Sequence, residues 1–293
     1  MTKFLAIKHA KVTQANAFSS PYTAGFPAVT SFLGFSENLS RRLNATSLSD
    51  AAFSATAVIS HGFDLKTVQK GWYLAPTASA NPPGKDGQRP SFIPEVHCDM
   101  DVSLILQMEK GSSLLNIDHD PLLKEQVLRL LLSTRLASGI IEEVDDIVPF
   151  VADAQEPDTW KPLLMNLMPG FALLDRHSLI REEVQKGKDA MDALLDYCSI
   201  PGDFDSEVQN PRLPEKSGWI VPIAVGYQGI SELSLQAANT RDPKTPHRFA
   251  EAVVSLGEFK MIHRIKDFSE IFWTSKYKEE SGLYLCEQGF INH

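Results

Sequence analysis

The start of the chain alternates between two hydrophobic periods, and this restricts it to folds that mix strands with helices. Residues 3–10 place Leu5 and Ile7 on one face, which predicts a short strand. Over residues 27–42 apolar side chains recur every three or four positions and predict a helix, while the apolar and β-branched content of residues 51–64 predicts a second strand. The order strand, helix, strand therefore opens the fold.

Further along the chain the same reasoning predicts four more strands and four more helices. The strands are residues 71–75, which we expect to pair with the strand at 51–64, and residues 101–109, 218–229 and 282–286. The helices are residues 121–137, with Asp120 as the N-cap, and residues 160–168, 178–197 and 250–261. Turn-forming residues at 81–94 predict a mobile loop.

These elements predict an α+β fold with two parts. Residues 1–110 and 200–293 form a mixed domain of strands and helices, and residues 111–199, where three predicted helices cluster, form a helical subdomain inserted into it.

Charge is unevenly distributed along the sequence. The formal net charge of -9 disfavours a nucleic-acid partner at first sight, because phosphate binding requires lysine and arginine. Residues 1–42, however, carry five basic side chains against one acidic, and residues 241–278 carry eight against five. Residues 142–158 carry seven acidic side chains and no basic one. A local basic surface is compatible with a short nucleic acid, although charges clustered on solvated loops explain the same pattern.

The sequence shows neither a membrane segment nor a cysteine framework. No stretch approaches the ~20 continuous apolar residues that span a bilayer, and the first residues are too polar for a secretory signal. We therefore expect a cytoplasmic protein without membrane contact. Cys98, Cys198 and Cys286 stand far apart, which predicts reduced thiols, no metal and no cofactor.

Common catalytic signatures are absent from the sequence, including the Gly-rich phosphate and dinucleotide loops, His-Glu-x-x-His and Gly-x-Ser-x-Gly. His97, Asp99 and Asp101 alternate and share one face of a strand, the only spacing that resembles a metal-dependent hydrolase or nuclease site. A polar strand edge explains the same three residues without a metal. We predict no catalytic residue and keep the hydrolase as an alternative.

Two polar loops have the composition of nucleic-acid contacts. Residues 14–27 are small and rich in amide and hydroxyl groups, and they lead directly into the N-terminus of the first predicted helix, a position that favours phosphate. Residues 238–249 form a basic loop with prolines, whose polar groups suit an RNA backbone or a base edge. Capped turns explain either loop equally well.

Short strings along nearly the whole chain resemble one family in the same order. They are ANA at 15–17, SSP at 19–21, GFP at 25–27, FLGF at 32–35, RRL at 41–43, GWIVP at 218–222, NTRD at 239–242, TPHRF at 245–249, SLGE at 255–258, HR at 263–264 and GLYLC at 282–286. Each string alone is modest, but together they resemble the second subunit of the type I-F CRISPR surveillance complex, the Csy complex.

The resemblance implies an RRM-like (ferredoxin-like) palm of the Cas-five type with the helical subdomain as its elaboration. Subunits of this family hold the 5′ handle of the CRISPR RNA (crRNA), pair with a large subunit and cap the filament of backbone subunits. They catalyse nothing and meet the target DNA only indirectly. On the matching strings, the implied RNA-binding residues are Asn16, Ser19, Ser20, Thr23, Arg241, His247, Arg248, His263 and Arg264.

Four positions depart from the family strings. Gln14 replaces an asparagine, Ala24 and Phe259 replace tryptophans, and Ile262 replaces a proline. The two missing tryptophans weaken a base-stacking role at those positions. A divergent branch whose complex lacks the large subunit would account for such departures. A second alternative is a protein-interaction scaffold of the same complex, which contacts the large subunit or the flank of the target DNA without RNA specificity.

Overall fold

The fold is a mixed α/β structure dominated by one large antiparallel sheet. The computed structural model describes residues 1–46, 50–79, 83–88, 95–110, 112–199, 218–235, 242 and 244–289 of the chain. Most of the predicted loop at 81–94, and Arg241, lie outside the described residues. None of the helices in these ranges is both long enough and apolar enough to cross a membrane.

The elements follow one another along the chain with most strands before and after a central group of helices. The strands are β1 (Thr2–Asn16), β2 (Phe18–Ser20), β3 (Thr23–Ala24), β4 (Ala52–Leu65), β5 (Thr67–Lys70), β6 (Tyr73–Pro76), β7 (Ala78–Ser79), β8 (Glu95–Lys110), β9 (Arg135–Leu136), β10 (Gly139–Ala152), β11 (Phe171–Asp175), β12 (Trp219–Gly229), β13 (Ala250–Met261), β14 (Phe272–Lys278) and β15 (Leu283–Gln288). The helices are α1 (Val29–Asn44), α2 (Pro121–Leu132), α3 (Pro157–Asn166), α4 (His177–Gln185) and α5 (Ala190–Cys198).

Part of the main sheet closes on itself through β4. One edge of β4 pairs with β8 along most of its length. The other edge is shared, because β14 pairs at Thr56 and Ala57 while β11 pairs at Ile59 and Ser60. The strands β4, β11, β13, β12, β15 and β14 therefore form a closed ring, and β8, β1, β10 and β9 continue from it as an open sheet.

Strand β1 is paired along both edges, with β8 and with β10, and its two faces are buried in two different cores. Leu5 and Ile7 point into the larger core, as the sequence predicted. Phe4 points into a second core, where its ring lies 5.3 Å from that of Phe268, which in turn stacks on Trp160 at 5.2 Å. The first strand thus connects the two cores of the molecule.

Helix α1 packs its apolar stripe on the sheet, which confirms the predicted first helix. Phe32, Leu39 and Leu43 are fully buried on that stripe. Arg41 and Arg42 lie in the last turn, where positive charge opposes the helix dipole favourably. The predicted N-cap of α2 is also confirmed, since Asp120 Oδ1 accepts hydrogen bonds from the backbone N–H groups of the helix start at 3.1 Å.

Residues 250–261 form strand β13, so the predicted helix there is wrong. The strand is held between β11 and β12 by pairing that no local pattern reveals. Adjacent Val253 and Val254 favour a strand, and Gly257 lies where Ile223 of β12 and Leu173 of β11 approach closely. Partner strands that are distant in sequence therefore decide this element.

Other predictions also need correction, in the end of one helix, the number of helices and the pairing of one strand. Helix α2 ends at Leu132 rather than at residue 137, because the chain turns into β9. Residues 178–197 hold two helices, α4 and α5, which are interrupted near Gly187 with φ +92°. Residues 71–75 do not pair with β4, since β6 pairs with β5 in a separate hairpin.

The range 111–199 contains strands as well as helices. Strand β10 pairs with β1 along nearly its whole length, so its residues belong to the main sheet and not to a helix. Its acidic side chains partly pair with β1, as in the 2.7 Å contact from Lys11 Nζ to Glu143 Oε2. The division of the chain into a domain and an inserted subdomain stays a prediction.

Candidate nucleic-acid interface

A polar cavity of about 510 Å³ lies between α1 and the paired strands β12 and β15. Its polar and aromatic lining consists of Asn16, Ser19, Thr30, Ser31, Phe35, Asn38, Arg135, Ser138, Tyr227 and Tyr284. We call it the tyrosine cavity. It brings the end of β1, the β2–β3 hairpin and the start of α1 together with residues from more than a hundred positions later in the chain.

The N-terminus of α1 opens into this cavity. Pro27, Ala28, Thr30 and Ser31 are among its lining residues. Ala28 is the N-cap residue and makes no side-chain cap. The first backbone N–H groups of a helix lack intrahelical acceptors and carry the positive end of the dipole, so they favour an anion such as phosphate.

Asn16 and Ser19, two of the predicted RNA contacts, line the tyrosine cavity. Asn16 Oδ1 accepts a hydrogen bond of 2.9 Å from the backbone N–H of Phe18, which leaves the amide NH₂ group to donate to a ligand. Ser19 Oγ is buried and has no hydrogen-bond partner among the described residues. Both groups suit the oxygen atoms of a nucleotide.

Ser20 and Thr23, from the same predicted loop, hold the β2–β3 hairpin together instead. Ser20 Oγ lies 2.8 Å from Thr23 Oγ1 and also accepts from the backbone N–H of Tyr22 at 3.1 Å. Ser20 is only 5% exposed. Their polar groups are satisfied within the turn, so these two residues position the loop.

Three tyrosines form a row across neighbouring strands. Tyr227 pairs with Tyr284 across β12 and β15, and Tyr284 pairs with Tyr277 across β15 and β14. Directly paired residues lie on one face of the sheet with Cβ atoms about 5 Å apart. Burial raises the pKa of Tyr284, while a side-chain hydrogen bond with Ser275 lowers it. Such rings provide stacking surfaces for bases.

Arg248, another predicted contact, lies beside the tyrosine row. A Cβ atom on Gly229 would lie 2.8 Å from Arg248 Nε, and one on Gly282 would collide with the same guanidinium. Each glycine is two residues from a tyrosine, so Arg248 shares their face of the sheet at a distance of roughly 7 Å along the strands. Arg248 Nε is buried without a hydrogen-bond partner in the described part of the chain.

His247 is held next to Arg248 by its backbone. Its N–H and C=O groups pair with Ser234 at 2.8 and 2.7 Å. His247 Nδ1 is buried and has no partner within the described ranges. The structure therefore brings Asn16, Ser19, His247 and Arg248 to the same end of β12 and β13.

His263 and Arg264 lie elsewhere. They follow the last residue of β13, while His247 and Arg248 precede its first residue. A strand of 12 residues separates its ends by on the order of 35 Å. The structure thus splits the second predicted group, and Arg241 lies outside the described residues.

Comparison with known proteins identifies the family. The model of the CRISPR-associated Csy2 family matches residues 5–286. The chain belongs to the Csy2 family. CRISPR-associated protein Csy2 of Pseudomonas aeruginosa (strain UCBPP-PA14) is 29% identical over 311 residues, which cover 96% of this chain and 93% of that relative. As a member of the Csy2 family, the chain is a subunit of the type I-F CRISPR Csy complex, an antiviral defence assembly.

Sequence reasoning missed several residues of the tyrosine cavity in this Csy2-family chain. Tyr227 and Tyr284 belong to strands that were predicted, but their pairing depends on a register that the sequence does not display. Arg135 fell within the predicted helix 121–137 and Asn38 within the predicted helix 27–42, and neither was singled out. The sequence signal for this face was Gly229 and Gly282, each two residues from a tyrosine, because the side chain of Arg248 packs over both glycines.

His97, Asp99 and Asp101 do not form a common site in this member of the Csy2 family. Asp99 pairs with Lys66, Asp101 accepts from His9, and His97 lies 4.0 Å from Glu95 Oε2. No group of three or more metal-ligating residues is found within the described ranges. Burial raises the pKa of the Cys98 and Cys286 thiols to about 12, which disfavours a thiolate nucleophile. The hydrolase alternative has no geometric support.

The rings of His9 on β1 and His61 on β4 lie against each other in this Csy2-family fold, with their centroids 3.9 Å apart. His61 Nδ1 donates to the carbonyl oxygen of Pro169 at 2.7 Å, so Nε2 accepts from Ser103 Oγ at 2.7 Å. His9 Nδ1 lies 3.1 Å from the Asp101 carboxylate. Burial lowers the pKa of His61 below its ordinary value of 6.5, and neighbouring His9 lowers it further.

Because His61 is buried, we expect the protein to become less stable as the pH falls below about 6.5. The unfolded chain protonates His61 near that pH, whereas the folded chain does so only at lower pH, so the unfolded state binds more protons in between. Melting temperatures measured from pH 8 to pH 5 should fall less steeply in a His61→Gln variant. A matched change at the exposed His119 should keep the original slope. Equal slopes in all three proteins would contradict the assignment.

Proposed function

We propose that this chain holds the 5′ handle of the crRNA in the tyrosine cavity. The observation that carries the proposal is the convergence of an uncapped helix N-terminus, the donors Asn16 and Ser19, and the Tyr227–Tyr284 pair on one cavity. Donors for phosphate and flat rings for bases are the two features that single-stranded RNA requires of a binding surface.

The phosphate backbone is held by the α1 end of the cavity. The first N–H groups of α1, the NH₂ group of Asn16 and the hydroxyl of Ser19 all donate hydrogen bonds. Arg135 adds a positive charge at the rim, where it also donates to Ser138 O at 3.1 Å. Arg248 adds a second charge along the sheet. A net charge of -9 does not oppose this binding, because the positive charges lie next to the cavity.

The bases stack on Tyr227 and Tyr284, the two tyrosines of the row that line the cavity. Tyr227 is 42% exposed, so one face of its ring is open to a ligand. Tyr284 is more deeply set, and its side chain forms a hydrogen bond with Ser275. Stacking on tyrosine is largely independent of base identity, while Asn38 and Asn16 can read base edges. Recognition of the handle then combines sequence-independent binding with a few base-specific contacts.

The sheet around the cavity serves as an RRM-like palm that caps the filament of backbone subunits. The β5–β6 hairpin provides a contact for a partner subunit, because a lone two-stranded hairpin is marginally stable in water. Its residues Trp72, Tyr73 and Leu74 are exposed, Trp72 to 84%. Such a surface suits the large subunit or the first backbone subunit. The assembled complex acts in the cytoplasm and meets target DNA through its guide RNA.

Co-purification tests this function. The tagged chain is purified from cells that express the neighbouring genes and a CRISPR array, and the bound RNA is sequenced. We expect uniform short RNAs that share one 5′ end. An Arg135→Ala/Arg248→Ala variant should retain its protein partners, bind less RNA and show a salt dependence of log K lower by roughly 0.7 per lost phosphate contact.

The matched control is Arg129→Ala/Lys186→Ala, which removes two charges from ion pairs at helices α2 and α4, at residues that do not line the cavity. It should bind RNA as the unchanged chain does. Purification of the complex with RNA unaffected by the Arg135→Ala/Arg248→Ala change would contradict the cavity assignment. Partners without any RNA would favour the scaffold alternative, for which the exposed β5–β6 hairpin is the supporting observation.

A further inference from the structure

A second cavity of about 360 Å³ adjoins the tyrosine cavity. Residues 24–26 line it, while the next two residues, Pro27 and Ala28, line the tyrosine cavity. The two spaces therefore meet at the short stretch of backbone that leads into α1. Ala24 and Phe259, the two positions that depart from tryptophan, both line this second space, which we call the aromatic cavity.

A chain of ring contacts forms the walls of the aromatic cavity. Trp219 meets Phe171 at 5.6 Å with an interplanar angle of 82° and Phe259 at 5.4 Å with 53°. Phe26 meets Phe259 at 5.1 Å and Phe63 at 5.8 Å. Rings set at such angles to one another leave both faces and edges to contact a flat ligand.

The aromatic side chains that line the cavity differ in how deeply they are buried. Phe26 and Phe259 are buried at 9% and 8% exposure and form the floor. Trp219 is 58% exposed and Phe63 is 41% exposed, so both stand at the mouth. An indole that remains so exposed beside a buried aromatic floor leaves apolar surface for a ligand to cover.

The cavity carries no formal charge. Among the described residues that line it there is no lysine, arginine, aspartate or glutamate. Burial lowers the pKa of His61, whose two ring nitrogens are already engaged by Pro169 and Ser103. The lining therefore suits a neutral, planar, aromatic group and disfavours a phosphate or a charged side chain.

We propose that the aromatic cavity receives one nucleobase of the RNA, turned out of the strand whose backbone crosses the tyrosine cavity. This inference rests on the proposed function. Because consecutive residues line the two cavities, a nucleotide with its phosphate at the start of α1 can place its own base, or that of its neighbour, against Trp219. The flat walls and the adjoining phosphate site favour a base over a protein side chain.

Abasic substitution, one handle position at a time, tests the inference in the assembled complex. We expect one position at which the loss of the base weakens binding about tenfold, the effect of removing one stacked base. In a Trp219→Ala complex the same abasic RNA should bind no more weakly than intact RNA. Ala24→Trp, which fills the mouth of the cavity from an exposed position, should likewise remove the sensitivity.

Trp219→Phe, which keeps a ring, should retain the sensitivity, and Leu122→Ala, at an exposed position of α2, is the matched control. The inference is wrong if the loss of affinity caused by the abasic position and the loss caused by Trp219→Ala simply add. The proposed function stands in that case as long as Arg135→Ala/Arg248→Ala still weakens RNA binding. If both cavity variants release a partner subunit and leave RNA bound, the occupant is a protein side chain. Absence of any handle binding would remove the proposed function itself.

Discussion

Replacing both Tyr227 and Tyr284 by alanine should weaken RNA binding by at least thirtyfold while leaving the protein folded. Base–aromatic stacking contributes about 1–3 kcal/mol per base, and the two rings stand side by side on the same face. Fluorescence anisotropy with labelled handle RNA gives the affinity directly. The double phenylalanine variant should lose much less, because it keeps both rings and gives up only the hydroxyl groups.

Tyr277→Ala is the matched control, because this tyrosine continues the row but does not line the tyrosine cavity. It is 53% exposed, so its loss leaves no hole in the core. We expect its affinity for RNA to stay within about twofold of the unchanged chain, since surface changes rarely exceed ±0.5 kcal/mol. An equal loss in all three variants would mean that the RNA crosses the whole row and not the cavity.

Trp273→Ala should destabilise the protein by about 3–5 kcal/mol, the range for removal of a large buried aromatic side chain. Trp273 is fully buried on β14, and its Nε1–H donates to Leu173 O of β11 at 2.9 Å. The indole therefore joins the two strands that share one edge of β4. Its removal leaves a cavity at the point where the ring of strands closes. Urea unfolding measures the loss as a shift of the midpoint.

The control for this change is Trp72→Ala, which removes the same atoms from a side chain that is 84% exposed. Its midpoint should stay within the error of the unchanged chain. A Trp273→Ala protein with an unchanged midpoint would show that the closure of the ring contributes little to stability.

The elements predicted correctly are those whose signals are local. Helix α1 follows from its apolar stripe and its final arginines, and the start of α2 follows from Asp120. Strand β13 was mistaken for a helix because its apolar spacing satisfies both periods, and only pairing with β11 and β12 decides between them. The spacing of apolar residues predicts local elements well, but it does not indicate a partner strand that lies eighty residues away in the sequence.

The candidate site shows the same division. Asn16 and Ser19 were predicted from the family strings, in a polar loop whose position before a helix can be read from the sequence, and both line the cavity. Tyr227 and Tyr284 meet only through the register of β12 and β15, so nothing local connects them. His263 and Arg264 were predicted with Arg248 because all three match family strings, yet strand β13 between them keeps them apart.

The shared edge of β4 has a consequence for how the polypeptide emerges from the ribosome. Strands β1, β4, β8, β9 and β10 all precede residue 153, so they can pair as soon as they are made. The partners of the free edge of β4 come later, and β14 follows β4 by about 200 residues, or roughly 10–40 s at cellular rates of translation. During that interval β4 presents unpaired backbone groups that can recruit another nascent chain. Chaperone demand during synthesis should therefore centre on this strand.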